Sequence, residues 1–224
     1  MTEPGRKLRE AAEVMDRLWS FGGWEVTQTH ESLRRYLVEE TYEVLDAIDS
    51  GDADALREEL GDLLLQVLFH SRIAEASGQF TVDDVAATLV SKLSARSPHL
   101  TNGHTGPVDV AEQEAAWETA KAVEKARPSC LDGIAMQQPA LALTEKVLDR
   151  ARRAGFPDDL VPDELRVVRI DGSGDTESVL RSAVLAFAGR IRAAERAAAD
   201  AGVAPGGSTP EVWGLYWECV TPPA

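Results

Sequence analysis

Three features of the chain predict an all-α protein. Ala, Leu, Glu and Arg recur at three-to-four-residue spacing over long stretches, which is the period of one helix face. Gly, Pro, Asn and Ser gather in a few breaks between those stretches, as in "DSGDAD" (49–54) and "SPHLTNGHTGPVD" (97–109), the chemistry of turns and loops. No sustained apolar–polar alternation occurs; only "LRVVRI" (165–170) offers a short strand. The spacing places helices at about 6–20, 30–50, 53–77, 82–96, 110–125, 137–154, 176–201 and 210–218. Asp52 stands where it can cap the third helix. The short turn before it makes the second and third helices antiparallel neighbours. "KARPSCLDG" (125–133) reads as a linker.

The bulk numbers narrow the function. The chain has 224 residues, 44% of them apolar, enough for one or two domains with a core. No stretch reaches the length of a membrane helix, and "MTEPGRKLREAAEVMDRL" carries no apolar signal core. The expectation is a cytoplasmic protein with no membrane partner. Cys130 and Cys219 are the two cysteines; their separation suggests neither zinc nor a disulfide framework. A net charge of −15 argues against a nucleic-acid partner. A small phosphate ligand remains open if a divalent cation accompanies it.

A weak internal repeat runs through the helices. "EVMDRL" (13–18) resembles "KVLDRA" (146–151), "VSKLSAR" (90–96) resembles "VLAFAGR" (184–190), and "EAAWETAKAVE" (114–124) matches "PEVWGLYWECV" (210–220), pairing Trp117 with Trp213. The offsets imply that the second copy is about 39 residues shorter in its middle. The missing part corresponds to the second and third helices of the first copy.

Those two helices carry the chemistry. Glu40 and Glu43 are three apart, Glu39 and Glu43 four apart, and Glu59 and Asp62 three apart on the next helix. Such spacings share a helix face, and the hairpin lets the pairs meet. Tyr36, Leu37, Tyr42, Leu45, Leu60, Leu63, Leu64 and Val67 surround them, so Asp62 is not expected to be wholly exposed. Arg34 and Arg57 can neutralise part of the cluster at most. Converging carboxylates need a cation between them, and oxygen ligands alone suit hard Mg²⁺ or Mn²⁺. A solvated acidic face is the bland alternative. A di-iron bundle is excluded because none of His30, His70, His99 or His104 follows a Glu by three residues, the spacing such sites use. No P-loop sequence exists, and "REELG" lacks the later Glu residues of a Nudix box.

The pattern E-E-x-x-E, fifteen residues, then E-x-x-D resembles that of the all-α nucleoside triphosphate pyrophosphohydrolases, and more narrowly the MazG family. "W-x-x-x-Q-T-H-x-S-L" (24–33), "EETYEVLDAI" (39–48), "REELGDLLLQVLFH" (57–70), "KLSARSPH" (92–99) and "WETAK" (117–121) carry the resemblance in order. "QPALALTEKVLDRARRAGF" is similar to the second domain of two-domain members. The resemblance implies a catalytic domain over 1–126 and a degenerate, shortened domain over 132–224 that lacks the acidic pair. It implies hydrolysis of an NTP to NMP and pyrophosphate with Mg²⁺, or Mn²⁺ in its place. Glu40, Glu43, Glu59 and Asp62 would hold the metal. Catalysis falls to Glu40 through that metal and to Glu39, which would orient the attacking water or stand in an outer shell.

In the resemblance Lys92 and Arg96 bind the outer phosphates, Lys121 adds a third contact, and Trp117 stacks on the base or packs in the core. Trp24 and Gln28 lie near the nucleotide end, although Gly22-Gly23-Trp24-Glu25 departs from the family's Cys-Pro-Trp-Asp. In the second copy Ala186 replaces Lys92 and Trp217 replaces Lys121, so that copy is expected to be catalytically dead. A homodimer is expected, because so few helices bury their apolar faces poorly. A base-selective enzyme acting on dUTP or dCTP, and a non-catalytic helical adaptor, are the alternatives.

Overall fold

The computed structural model describes residues 5–97, 99, 106, 108–124, 128–170, 172, 174–204 and 207–220, with the side chains of 118–124 excepted. Most of the 97–109 loop, the start of the 125–133 linker (125–127) and the Lys121 side chain therefore lie outside the described residues. The chain forms two compact units, Met1–Lys121 and Ala122–Ala224.

The first unit is built on a helical hairpin. Helices α1 (Arg6–Phe21), α2 (His30–Ser50), α3 (Ala53–Ala76), α4 (Val82–Arg96) and α5 (Val110–Glu124) follow in order, with a 3-10 turn at Glu25–Thr27. Helix α2 begins at a reciprocal cap in which Thr29 and Ser32 bond each other's backbone N–H, satisfying two donors the helix cannot. It ends at Gly51, whose φ of 69° suits a residue without Cβ. Asp52 then accepts from Asp54 N at 2.9 Å and Ala55 N at 3.3 Å, so the cap expected of it forms and α3 folds back along α2. Helix α1 lies on the other side of α3, where Arg72 meets Asp16 at 3.3 Å and covers the Trp19 ring.

The first unit is thinly packed. Its core holds Met15, Leu33, Leu68 and Phe69, with Tyr36, Leu64, Ile73 and Val82 partly buried against them. Helix α4 joins this core at Val82; from Ala86 to Ala95 all of its residues are exposed.

The second unit contrasts with the first. Helices α6 (Ala140–Arg153), α7 (Thr176–Asp200) and α8 (Pro210–Cys219) enclose a core that includes Leu143, Val147, Phe156, Val184, Phe187, Ile191, Trp213 and Trp217. Phe156 meets Phe187, Trp213 and Trp217 edge to face, with centroids 5.4, 5.3 and 4.9 Å away, an arrangement favoured by the ring quadrupoles. Trp213 Nε1 donates to the Ala154 carbonyl at 2.8 Å.

Helix α6 starts at 140 rather than 137 because Pro139 occupies its cap; Glu177 accepts the Ala140 N–H at 2.8 Å. The short strand suggested for "LRVVRI" does not form. Asp163–Leu165 is a 3-10 turn, and the described residues up to 170 form no strand. A single run has no partner strand here to complete its ladder. Burial, and then the charge of Glu195, push the Cys130 thiol above its ordinary range, which disfavours the thiolate.

Candidate active site

The carboxylates of Glu40, Glu43 and Glu59 offer oxygens that all lie within 4.8 Å of one another. Glu40 and Glu59 are half-buried and Glu43 is exposed. The antiparallel hairpin produces this: one helical turn in the middle of α2 faces one turn of α3, about two turns from the reversal at Gly51. Asp62 is half-buried on the next turn of α3. It is not in the trio, although its charge acts on Glu40 and on Glu59. Glu39 is exposed beside them.

Electrostatics at the cluster are one-sided. Burial, then the charge of Asp62, then a hydrogen bond and charge from Glu43, hold the Glu40 carboxyl above the usual carboxylate range. Burial followed by the charges of Glu43, Asp62 and Glu58 does the same to Glu59. The cations expected to relieve them are engaged elsewhere: Arg34 pairs with Glu31 at 3.0 Å and Arg57 with Asp54 at 2.5 Å. Among the described residues no ion pair reaches Glu40, Glu43 or Glu59. A cluster of this kind fits a hard divalent cation, because every donor is a carboxylate oxygen and like charge is what the cation would relieve.

The other residues singled out from sequence separate into groups. Lys92 is exposed on α4. Arg96, one turn later, is buried at 7% exposure and lies over the Trp117 ring, 5.2 Å from its centroid. Trp117 thus serves Arg96 as a platform. Gln28 is occupied locally: its Nε2 donates to the Trp24 carbonyl at 3.0 Å and its Oε1 accepts from Ser32 at 2.8 Å. These bonds brace the entry to α2. Trp24 is half exposed and stands edge-on to Tyr36 and Phe69, with centroids 6.4 and 5.7 Å away.

Two polar residues of the seam between α2 and α3 were not singled out. Gln66 is 4% exposed, and its buried Oε1 has no hydrogen-bond partner. His70, one turn further along α3, places Nδ1 2.8 Å from Nδ1 of His30 with the rings stacked. Burial, then His30, lower the His70 pKa. Its buried Nε2 has no partner. The available signal was helical spacing: Glu59, Asp62, Gln66 and His70 follow at three, four and four residues, one continuous stripe.

Residues 28–101 match the model of the MazG nucleotide pyrophosphohydrolase domain. The chain is 54% identical over 202 residues to a nucleoside triphosphate pyrophosphohydrolase of Mycobacterium tuberculosis, covering 89% of this chain and 62% of that protein. It is 48% identical over 231 residues to a protein of the same name from Mycolicibacterium smegmatis, covering 96% of this chain and 71% of that one. The chain belongs to the MazG family. A Streptomyces cacaoi protein described only as an uncharacterized 26.1 kDa protein is 44% identical, with 86% of this chain and 84% of that protein covered. The chain thus spans somewhat under two-thirds of the M. tuberculosis relative. The matched MazG segment contains every carboxylate of the cluster, both histidines, Gln66, Lys92 and Arg96; Trp24, Trp117 and Lys121 fall outside it. A MazG pyrophosphohydrolase domain implies a divalent metal, and the trio is where the described residues offer one a place.

Proposed function

We propose that this chain is a Mg²⁺-dependent nucleoside triphosphate pyrophosphohydrolase that cleaves NTP or dNTP to NMP and pyrophosphate. The observation that carries the reading is the convergence of Glu40, Glu43 and Glu59 within 4.8 Å, uncompensated by any basic side chain among the described residues. Glu40, Glu43 and Glu59 would hold the cation, with Asp62 beside them. Bound there, the cation supplies charge neutralisation of the triphosphate and a more acidic water. Glu39, exposed on the same helix, takes the proton of the attacking water. The water oxygen bonds to the α-phosphorus, the bond to the α–β bridging oxygen breaks, and pyrophosphate leaves with the electron pair. Lys92, exposed on α4, would meet the outer phosphates, and Arg96 on Trp117 would steady that end of α4.

Incubation with each common NTP and dNTP, with Mg²⁺ or with EDTA, tests this. NMP and pyrophosphate are expected, and EDTA should remove them. NDP and phosphate would place the attack elsewhere and overturn the reading.

The second unit acts as a catalytically dead copy in this reading. Arg96 and Arg190, matched by the internal repeat, each lie over a Trp ring, Trp117 at 5.2 Å and Trp217 at 3.8 Å, although the repeat pairs Trp117 with Trp213. The second unit lacks a counterpart of the α2–α3 carboxylates.

The active form is a homodimer. Leu89, Val90 and Leu93 on α4 are 51%, 62% and 42% exposed, more apolar surface than a helix leaves to water without a partner. Sedimentation should give twice the 24.2 kDa chain mass for the wild type and one chain mass for Val90→Glu combined with Leu93→Glu. A wild type sedimenting as a single chain would overturn the dimer.

A further inference from the structure

Resting on the pyrophosphohydrolase reading, the geometry points to Gln66 as a specificity-determining residue, its carboxamide taking up an N–H or O–H donor of the substrate's nucleoside. Two pairings fix the register of the seam. Midway along α2 Glu40 and Glu43 meet Glu59; at the end of the seam away from the turn His30 meets His70. Gln66 lies between them on α3, level with Tyr36 of the antiparallel α2. It is one turn beyond Asp62, about 6 Å along the helix axis. A triphosphate with its α-phosphorus at the carboxylates has its nucleoside within the next turn or two, and the seam toward Gln66 is one direction in which it can run.

Chemistry at that level of the seam fits a nucleoside. A buried carboxamide oxygen without a donor is costly to the folded protein, yet Gln66 Oε1 is in that state. His70 Nε2, one turn further, shares it. The stacked pair explains why His70 cannot relieve itself: its Nδ1 is committed to His30 whichever ring carries the shared proton. Tyr36 and the half-exposed Trp24 supply aromatic surface beside this polar strip. Trp24 follows Gly22 and Gly23, whose φ values of 79° and 88° favour glycine. Donors on the nucleoside that set specificity come from two sources, the N–H groups of the base and the 2′-hydroxyl of the sugar, and Gln66 satisfies its oxygen with one of them.

The test compares wild type with Gln66→Leu and Gln66→Met, apolar replacements of similar size. For each protein kcat/KM is measured for the four dNTPs and for one matched ribo–deoxy pair, and Tm is recorded. We expect Tm to hold or rise in the variants, since an orphaned polar group has been removed. One selectivity ratio should fall about tenfold, the effect of losing one hydrogen bond to the ligand. A fall across the base series assigns the donor to the base; a fall in the ribo–deoxy ratio assigns it to the sugar. Unchanged ratios, or a lower Tm with all nucleotides declining in step, would overturn the inference. A wild type that hydrolyses no nucleotide would remove the underlying reading as well, whereas an active wild type whose variants keep its ratios removes only this inference.

Discussion

Glu59→Gln is expected to give a folded helical protein whose NTP turnover is lower by at least ~100-fold. Loss of an outer-shell partner alone typically costs ~10–100-fold at a metal site, and Glu59 contributes an oxygen to the trio itself. Asp62→Asn should cost less, because Asp62 acts on the trio by charge from the adjacent turn. Equal losses would move Asp62 into the ligand set; an active Glu59→Gln would remove the metal assignment. Stability should change in the opposite direction. A carboxyl whose pKa rises on folding favours the folded state below its unfolded value, and loses that contribution as pH rises through the folded value. Glu40 and Glu59 are both raised, so metal-free protein should become less stable as pH climbs through and just above the carboxylate range. Near neutral pH in EDTA, Glu59→Gln should melt above wild type. The gap should close in acid, where Glu59 is protonated, and shrink on adding Mg²⁺, which the intact cluster binds better. Melting curves at several pH values check both signs.

Phe187→Ala should have the largest effect on stability. Phe187 is 2% exposed and meets Phe156 and Trp217 edge to face. Truncating a buried Phe of this kind costs about 3–5 kcal/mol. Denaturant melts should show the loss in the transition of the second unit. If that unit is a dead copy, turnover at low temperature, where the variant stays folded, should remain near wild type. A variant folded by circular dichroism yet inactive would mean that the second unit supplies groups to the chemistry.

Helix positions were legible because the relevant signals are local. Thr29, Asp52 and Thr81 cap the helices that follow them, and three-to-four periodicity survives from sequence to structure. Pro139 shortened α6 for an equally local reason. The meeting of Glu40 and Glu43 with Glu59 followed from spacing plus a short turn. The local partners of Gln28, Trp24 and Ser32, were not legible, because they meet it only once the 3-10 turn has formed. Arg96 was taken as a phosphate contact, and its burial over Trp117 depends on α5 returning to α4. Spacing also placed Asp62 with the other carboxylates, but the side-chain positions that leave it outside the trio are three-dimensional facts.

The sequence by itself determined the all-α class, the hairpin and the acidic stripe along it, because period and turn chemistry act over a few residues. Only the tertiary structure decided how unequally the two halves bury their apolar residues, which cations are spent on local partners, and which polar atoms are left unsatisfied. Burial and hydrogen-bond satisfaction depend on what residues distant in the chain bring alongside. For that reason Gln66, an ordinary residue in the string "LLLQVLFH", becomes conspicuous only when α2 lies against α3.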